Sequence, residues 1–358
     1  MSRFLLLDVG AGTLDVLYYD DQSDIHYKSV VQSPVIGTAQ KAGSLPGDLV
    51  VTGAEMGGGA LLQILSRKAQ GAEVAITGPA AMTLSHDPSR VLDAGLKIID
   101  ASEAGRLSAS GKYGSLALSD LPREQLEAIV SGFGVPFEFD VVGACAQDHG
   151  MPAKGQSHLD FRHEIFRKAL DKSPFPESLL YRPDTIPAPL NRLRSLAAAA
   201  AGLPTREVYV MDSGMAAIRG ASMDPTLRGK DRFVVIDVAT SHTVCAAMDR
   251  DEIAGFFEYH TRDISLEKLE SLLARLVEGT LSHNEILKGG GHGAYVRHAF
   301  GLDAVQAIIA TGPKRRLLEK SMLPITFGAP MGDNMMTGTV GLLESIRRYK
   351  GLKRSFYL

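Results

Sequence analysis

The sequence predicts an α/β protein of two lobes, each a mixed sheet flanked by helices. Three observations carry that prediction. Short apolar runs bounded by Gly and Asp turns alternate with amphipathic segments of helical period along the chain. A three-strand meander opened by an apolar strand ending in aspartate occurs twice, near residue 4 and near residue 233. A length of 358 residues, at roughly 100–200 per domain, accommodates two such units with a core in each.

Residues 4–9 form an apolar run, followed by Gly-Ala-Gly-Thr and a second run over 14–19, which reads as strand, tight glycine turn, strand. A polar turn at 20–24 leads into 25–31, the third strand. Residues 49–52 are a strand entering Gly57-Gly58-Gly59, with a helix over 60–69, and 73–77 and 96–100 are further strands. Ser119 or Asp120 caps a helix with Pro122 in its first turn, where a missing N–H costs nothing. That helix runs to about residue 130, and 137–144 is a buried strand. An amphipathic helix over 159–170 precedes an irregular connection marked by Pro174, Pro176, Pro183, Pro187 and Pro189. A helix over 190–201 and a strand over 207–211 follow.

The second half restarts the pattern with a strand over 233–238, the turn Ala-Thr-Ser-His-Thr, and strands over 244–248 and 253–259. Leu266, Leu269, Leu272, Leu273, Leu276 and Val277 fall on one helix face, which reads as core. Residues 307–310 are a strand, 314–320 a helix and 333–349 a closing helix. The expected lobes are 1–211 with the closing segment 333–358, and 222–330.

Lys and Arg total 38 against 41 Asp and Glu, a formal charge of −3, so nothing in the overall charge calls for nucleic acid or an anionic membrane. Cys145 and Cys245 are the sole cysteines, which excludes a disulfide framework and a Cys-rich metal or iron–sulfur site. No apolar run approaches the roughly 20 residues of a membrane span. A soluble cytoplasmic protein is the expectation.

The sharpest motif is Asp8-Val9-Gly10-Ala11-Gly12-Thr13-Leu14-Asp15. Gly10 and Gly12 let backbone N–H groups approach an anion, and Thr13 adds a hydroxyl. Asp8 can hold Mg²⁺ through water. Such a turn suits the terminal phosphates of a nucleotide; the plain alternative is a β-hairpin with glycines in its turn. Elsewhere, Val141–Gly150 is an apolar strand ending in Gln147, Asp148 and His149, where Asp148 and His149 can act as base and orienter or bind a metal. Gly289-Gly290-Gly291-His292-Gly293 reads as a loop opening a helix over 294–299, an anion cradle or a plain connection. Gly57-Gly58-Gly59 reads as a loop, His158 and His163 as surface residues, and Lys314-Arg315-Arg316 as a solvated first helical turn. His149, His242 and His292 come from three separate loops; if they converge, a metal site or histidine-based phosphoryl transfer follows.

Several motifs together resemble the actin / Hsp70 / sugar-kinase superfamily of two-domain ATPases. DVGAGTLD is similar to its first phosphate motif, and residues 211–220, MDSGMAAIRG, to its first connecting helix. VVIDVATSHTV at 234–244 stands where its second phosphate hairpin belongs, IIATGP at 308–313 resembles its adenosine motif, and 331–345 its second connector. The resemblance implies two actin-like (ribonuclease H-like) lobes closing on Mg–ATP. Asp8 would hold Mg²⁺; Gly10, Gly12, Thr13 and Asp15, with Asp237, Thr240, Ser241 and His242 facing them, would surround the phosphates. Gly290, Gly291, His292, Thr311 and Gly312 would lie toward the adenosine, and Asp148 and His149 toward an acceptor. The second hairpin lacks the superfamily's glycines, with His242 in their company. Ser213 stands where chaperone-type members carry a water-positioning carboxylate, with Asp212 beside it.

The resemblance narrows to a family labelled pyruvate formate-lyase activating-enzyme-like. Radical activation of that kind uses three closely spaced cysteines on an iron–sulfur cluster, which Cys145 and Cys245 do not supply. The function expected is therefore an ATP-dependent small-molecule phosphotransferase or ATP-activating enzyme with a small-molecule acceptor. The alternatives are a non-catalytic nucleotide sensor engaging a regulatory partner protein, and a His-metal hydrolase.

Overall fold

The computed structural model describes residues 2–153 and 155–353. Positions 354–358 of the expected closing segment lie outside the described residues.

Strands β1 (Arg3–Val9), β2 (Thr13–Asp20) and β3 (Ile25–Gln32) form the first antiparallel meander. Strands β4 (Leu49–Gly53), β5 (Val74–Thr77), β6 (Lys97–Ile99) and β7 (Gly114–Leu118) make a separate parallel sheet in the order β6-β5-β4-β7. The chain then returns. Strands β8 (Phe139–Ala146), β9 (Leu180–Tyr181) and β10 (Thr205–Asp212) complete the first sheet as β3-β2-β1-β8-β10-β9. The last sheet holds β11 (Arg232–Val238), β12 (His242–Asp249), β13 (Glu252–His260), β14 (Gly291–Val296), β15 (Ala307–Thr311) and β16 (Ile325–Phe327). Its order is β14-β13-β12-β11-β15-β16.

The two six-stranded sheets share one plan. In each, a meander runs antiparallel and its first strand pairs in parallel with a later one, β1 with β8 and β11 with β15. Even the hairpin turns match: Gly10 N–H donates to the Thr13 carbonyl at 3.0 Å, and Ala239 N–H to that of His242 at 3.0 Å. The duplication read from the sequence is thus present in the topology, and the architecture is that of two actin-like lobes.

β1 is central, and Phe4, Leu5, Leu6 and Leu7 are all fully buried, which is why it reads as a continuous apolar run. Alternation then divides them: Phe4 and Leu6 join a core shared with Val235 and Met215, while Leu5, Leu7 and Val9 pack with Leu193 and Leu196 on the other face. The leucine stripe of the helix Leu266–Val277 covers the last sheet, as its spacing requires.

Two connector helices, Ser213–Ala221 and Thr337–Tyr349, cross with their backbones in contact. A Cβ at Gly220 would lie 1.8 Å from the Thr337 carbonyl oxygen, and one at Gly341 1.8 Å from that of Ala216. Both neighbours are main chain and cannot rotate aside. Gly341→Val is therefore expected to lower stability by about 3 kcal/mol through overpacking, seen as a lower urea midpoint at unchanged slope.

Several expectations need correction. Residues 294–299 do not start a helix: the Gly-rich segment becomes β14, an edge strand paired to β13. The helix after Pro122 spans Arg123–Gly132 without a side-chain cap, because Asp120 points elsewhere. Residues 314–320 contain only the 3₁₀ turn Arg315–Leu318, and the closing helix starts at Thr337. The separate parallel sheet was legible only in part, since β7 gave no strong signal. Among the described residues no helix is long and apolar enough to cross a membrane.

Candidate functional site

The two hairpins face each other across a cleft. Asp8, Gly10, Thr13 and Asp15 line it from one side, and Asp237, Thr240, Ser241 and His242 from the other. At Gly12 the hairpins touch: a Cβ there would stand 2.7 Å from Thr240 Cγ2. The first turns of both connector helices end in the cleft, through Ser213 and Gly214 and through Thr337 and Gly338. A Cβ at Gly338 would stand 1.9 Å from Asp8 Oδ2, so the carboxylate lies against the opening turn of the closing helix.

Three carboxylates crowd this space. Burial, then the neighbouring charge of Asp237, pushes Asp8 up to about 7 against a hydrogen bond with Cys145. Burial and Asp8 push Asp15 up to about 8. Asp237 is raised by burial to about 6 although the Thr311 hydroxyl donates to its Oδ1 at 2.8 Å. The nearest cation lining the cleft, Arg192, is engaged bidentately by Asp120 at 2.8 and 3.0 Å and donates to the Gln147 carbonyl. The site is therefore rich in hard oxygen donors whose repulsion a divalent cation would relieve, a donor set that fits Mg²⁺.

Below the hairpins, buried groups join the two sides. Arg162 donates to Glu258 Oε2 at 2.6 Å and to Asp212 Oδ2 at 2.9 Å, with its guanidinium over the Phe166 ring. Gln147 Nε2 donates to Glu258 Oε1 at 2.6 Å. Burial opposes the charge on Glu258, yet Arg162 beside it holds this carboxyl well below its ordinary range. Asp212 also caps the first connector helix, accepting from the Gly214 and Met215 N–H groups. It is not free to position an attacking water.

Residues 56–317 match the family described as "Putative pyruvate format-lyase activating enzyme (DUF1786)". The chain belongs to this family. The match begins after the first hairpin, so Asp8 and its glycines lie outside it. In this DUF1786 chain both cysteines are buried and unbonded in separate sheets, which leaves no cysteine ligand set for a radical iron–sulfur cluster. No curated protein matches the chain by sequence. Similar solved structures include a ROK hexokinase from Thermus thermophilus, at 12% identity over 98% of this chain and 99% of that one, TM-score 0.34. A reductive activator for corrinoid, iron-sulfur protein is 10% identical over 98% and 62%, TM-score 0.40. The ethanolamine utilization protein EutJ from Carboxydothermus hydrogenoformans is 11% identical over 95% and 89%, TM-score 0.32.

Several residues of this DUF1786 chain differ from expectation. Asp148 faces inward: its oxygens accept from Gly150 N–H at 2.7 Å and Leu193 N–H at 2.9 Å, fixing the start of the helix Asn191–Ala201. It does not offer a base to an acceptor. Thr311 is buried and committed to Asp237 rather than facing a nucleoside, whereas Gly312 does line the cleft. Gly290 and Gly291 do not line it, and Gly291 packs on Tyr259 and Ile286. Lys314 donates to the Thr240 carbonyl at 2.9 Å and so braces the second hairpin. His158 is exposed, but His163 is half-buried and stacked on His283 at 3.6 Å.

The histidines of separate loops do converge. His242 and His292 have ring centroids 4.8 Å apart, and His149 lies 5.9 Å from His292. Burial pushes His242 down to about 4 and His149 to about 3, so both rings are neutral at neutral pH. Sequence reasoning missed His260, Glu258, Arg162 and Arg192. Their one signal was Glu258-Tyr259-His260 at the end of an apolar strand, two polar residues on the same face. It also took Gly57–Gly59 for a plain loop, whereas these glycines line the cleft and Gly57 N–H donates to Asp120.

Proposed function

We propose that this protein binds Mg–ATP between the two hairpins and is an ATP-dependent phosphotransferase or ATP-activating enzyme with a small-molecule acceptor. The observation that carries this reading is the pair of matched turns presenting Asp8 and Asp237 across one cleft, with the hairpins in contact where Gly12 meets Thr240. Asp8, supported by Asp237, would hold the metal; Gly10 and Thr13 on one side and Thr240 and Ser241 on the other would hold phosphate oxygens, Gly12 would let the hairpins meet, and Gly312 would lie toward the nucleoside. When bound, Mg²⁺ supplies charge neutralisation to the transferring phosphoryl group. The chain's own part is to position phosphates with backbone and hydroxyl donors, to place two helix N-termini at the anion, and to exclude water by closing the cleft.

Thermal unfolding with and without Mg–ATP tests the binding. A ligand at about 100 times its dissociation constant adds roughly 2.7 kcal/mol, visible as a rise in melting temperature. No rise with any nucleotide would overturn the reading. A second reading, a nucleotide sensor that engages a partner protein, is favoured by Ala239-Thr240-Ser241 in place of glycines and by the engagement of Asp212. It predicts tight Mg–ATP binding without phosphate release or transfer over a panel of acceptors, whereas the enzyme consumes ATP only with its acceptor present.

A further inference from the structure

We propose that His242, His260 and His292 form a binding site for a divalent transition-metal ion of the zinc class, with an open coordination position toward the cleft. Each residue comes from a different strand. His242 opens β12, His260 lies directly opposite it at the end of β13, and His292 is the extra residue of a bulge where β14 pairs with β13. Bulges re-aim side chains, and this one turns His292 onto the other two. The ring centroids are 4.6, 4.4 and 4.8 Å apart, and one ligand nitrogen from each lies within 4.8 Å of the others. Zinc–imidazole bonds of about 2.0–2.1 Å in tetrahedral geometry hold nitrogens about 3.3 Å apart, a contraction within reach of ring rotation.

The polar surroundings favour a ligand role over packing. The Ser241 hydroxyl stands 2.7 Å from His242 Nδ1, which leaves His242 Nε2 buried and without a partner. His292 is 8% exposed, and its Nδ1 is turned toward Glu258, 3.7 Å from Oε1. A buried imidazole nitrogen left unpaired is unfavourable, and a metal would satisfy His242 Nε2. A ligating histidine ordinarily gives its other ring nitrogen to a carboxylate or hydroxyl, and Glu258 and Ser241 stand at those positions.

Among the described residues the cluster holds three histidines, the pattern of an open site. His149 stands on the opposite side of the cleft, its ring centroid 5.9 Å from that of His292. The ligand class that fits is an anionic oxygen of a small molecule, held beside the second hairpin. The metal itself does not depend on the nucleotide reading; only the identification of that small molecule with the acceptor does.

The test uses full-length protein stripped with chelator and titrated with Zn²⁺, and with Co²⁺ as a visible probe. One equivalent is expected to bind, with Co²⁺ giving intense bands of low-coordinate geometry. His260→Ala and His292→Ala are each expected to weaken Zn²⁺ binding at least about 100-fold and to abolish those bands, and Ser241→Ala to weaken it about 10-fold. His158→Ala, at an exposed histidine outside the cluster, should leave both unchanged. Circular dichroism of each variant in chelator checks that it is folded. Failure of the natural protein to bind Zn²⁺ or Co²⁺, or equal binding by the folded His260→Ala and His292→Ala variants, would overturn the proposal. Asp8→Asn should bind Zn²⁺ like the natural protein, so loss of the nucleotide response and loss of the metal are read separately.

Discussion

Asp8→Asn is expected to abolish the rise in melting temperature given by Mg–ATP while raising the melting temperature of the ligand-free protein. The first effect follows from removing the carboxylate that would hold the metal, and its size is the whole of the roughly 2.7 kcal/mol expected at about 100 times the dissociation constant. The second follows from electrostatics. Asp8, Asp15 and Asp237 have folded values of about 7, 8 and 6, above an unfolded value of 3.8. A carboxyl raised by folding contributes stability that is fully present below its unfolded value and disappears as pH rises through the folded one. The ligand-free protein should therefore lose stability progressively as pH rises from about 4 to about 8, and Asp8→Asn should flatten that slope. Melting temperatures at several pH values, with and without Mg–ATP, check both effects. A variant with the same pH slope as the natural protein would remove the electrostatic account.

Arg162→Met is expected to lower stability by about 4 kcal/mol, because it strands two buried carboxylates at once. Glu258 would keep only Gln147 and the His292 ring 3.7 Å away, and Asp212 only the two N–H groups it caps. The loss should be smaller at low pH, where the stranded groups take up protons, and Glu258→Gln in the same background should recover part of it. Urea denaturation of the single and double variants at two pH values measures this. Equal losses at both pH values would show that packing against Phe166, rather than the charge pair, carries the effect.

Much of the fold was legible because its signals are local. The two meanders appear as apolar runs broken by small-residue turns, and the leucine stripe of Leu266–Val277 fixes its helix by spacing alone. The parallel sheet was harder, since β7, Gly114–Leu118, is short and half-exposed and carries no strong apolar run. The Gly-rich segment at 289–293 misled for a clear reason. Glycines that admit a tight turn also admit a bulged edge strand, and only pairing with β13 decides between them.

In the site, residues on the hairpins could be found because their motif is contiguous. Arg162 and Glu258 were harder, because each matters through a partner about a hundred residues away, and His260 matters through histidines on two other strands. Asp148 shows the converse: a strand-end carboxylate beside a histidine has a catalytic look, yet backbone N–H groups consume it.

The clasp of Arg162 and Gln147 on Glu258 sets a clock as well as a stability. It spans the floor of the cleft, so the sides cannot part widely until a desolvated ion pair separates and regains water. A small molecule sealed beneath the hairpins would leave at the frequency of that rupture rather than at the speed of diffusion, and its dwell time would shorten in Gln147→Ala.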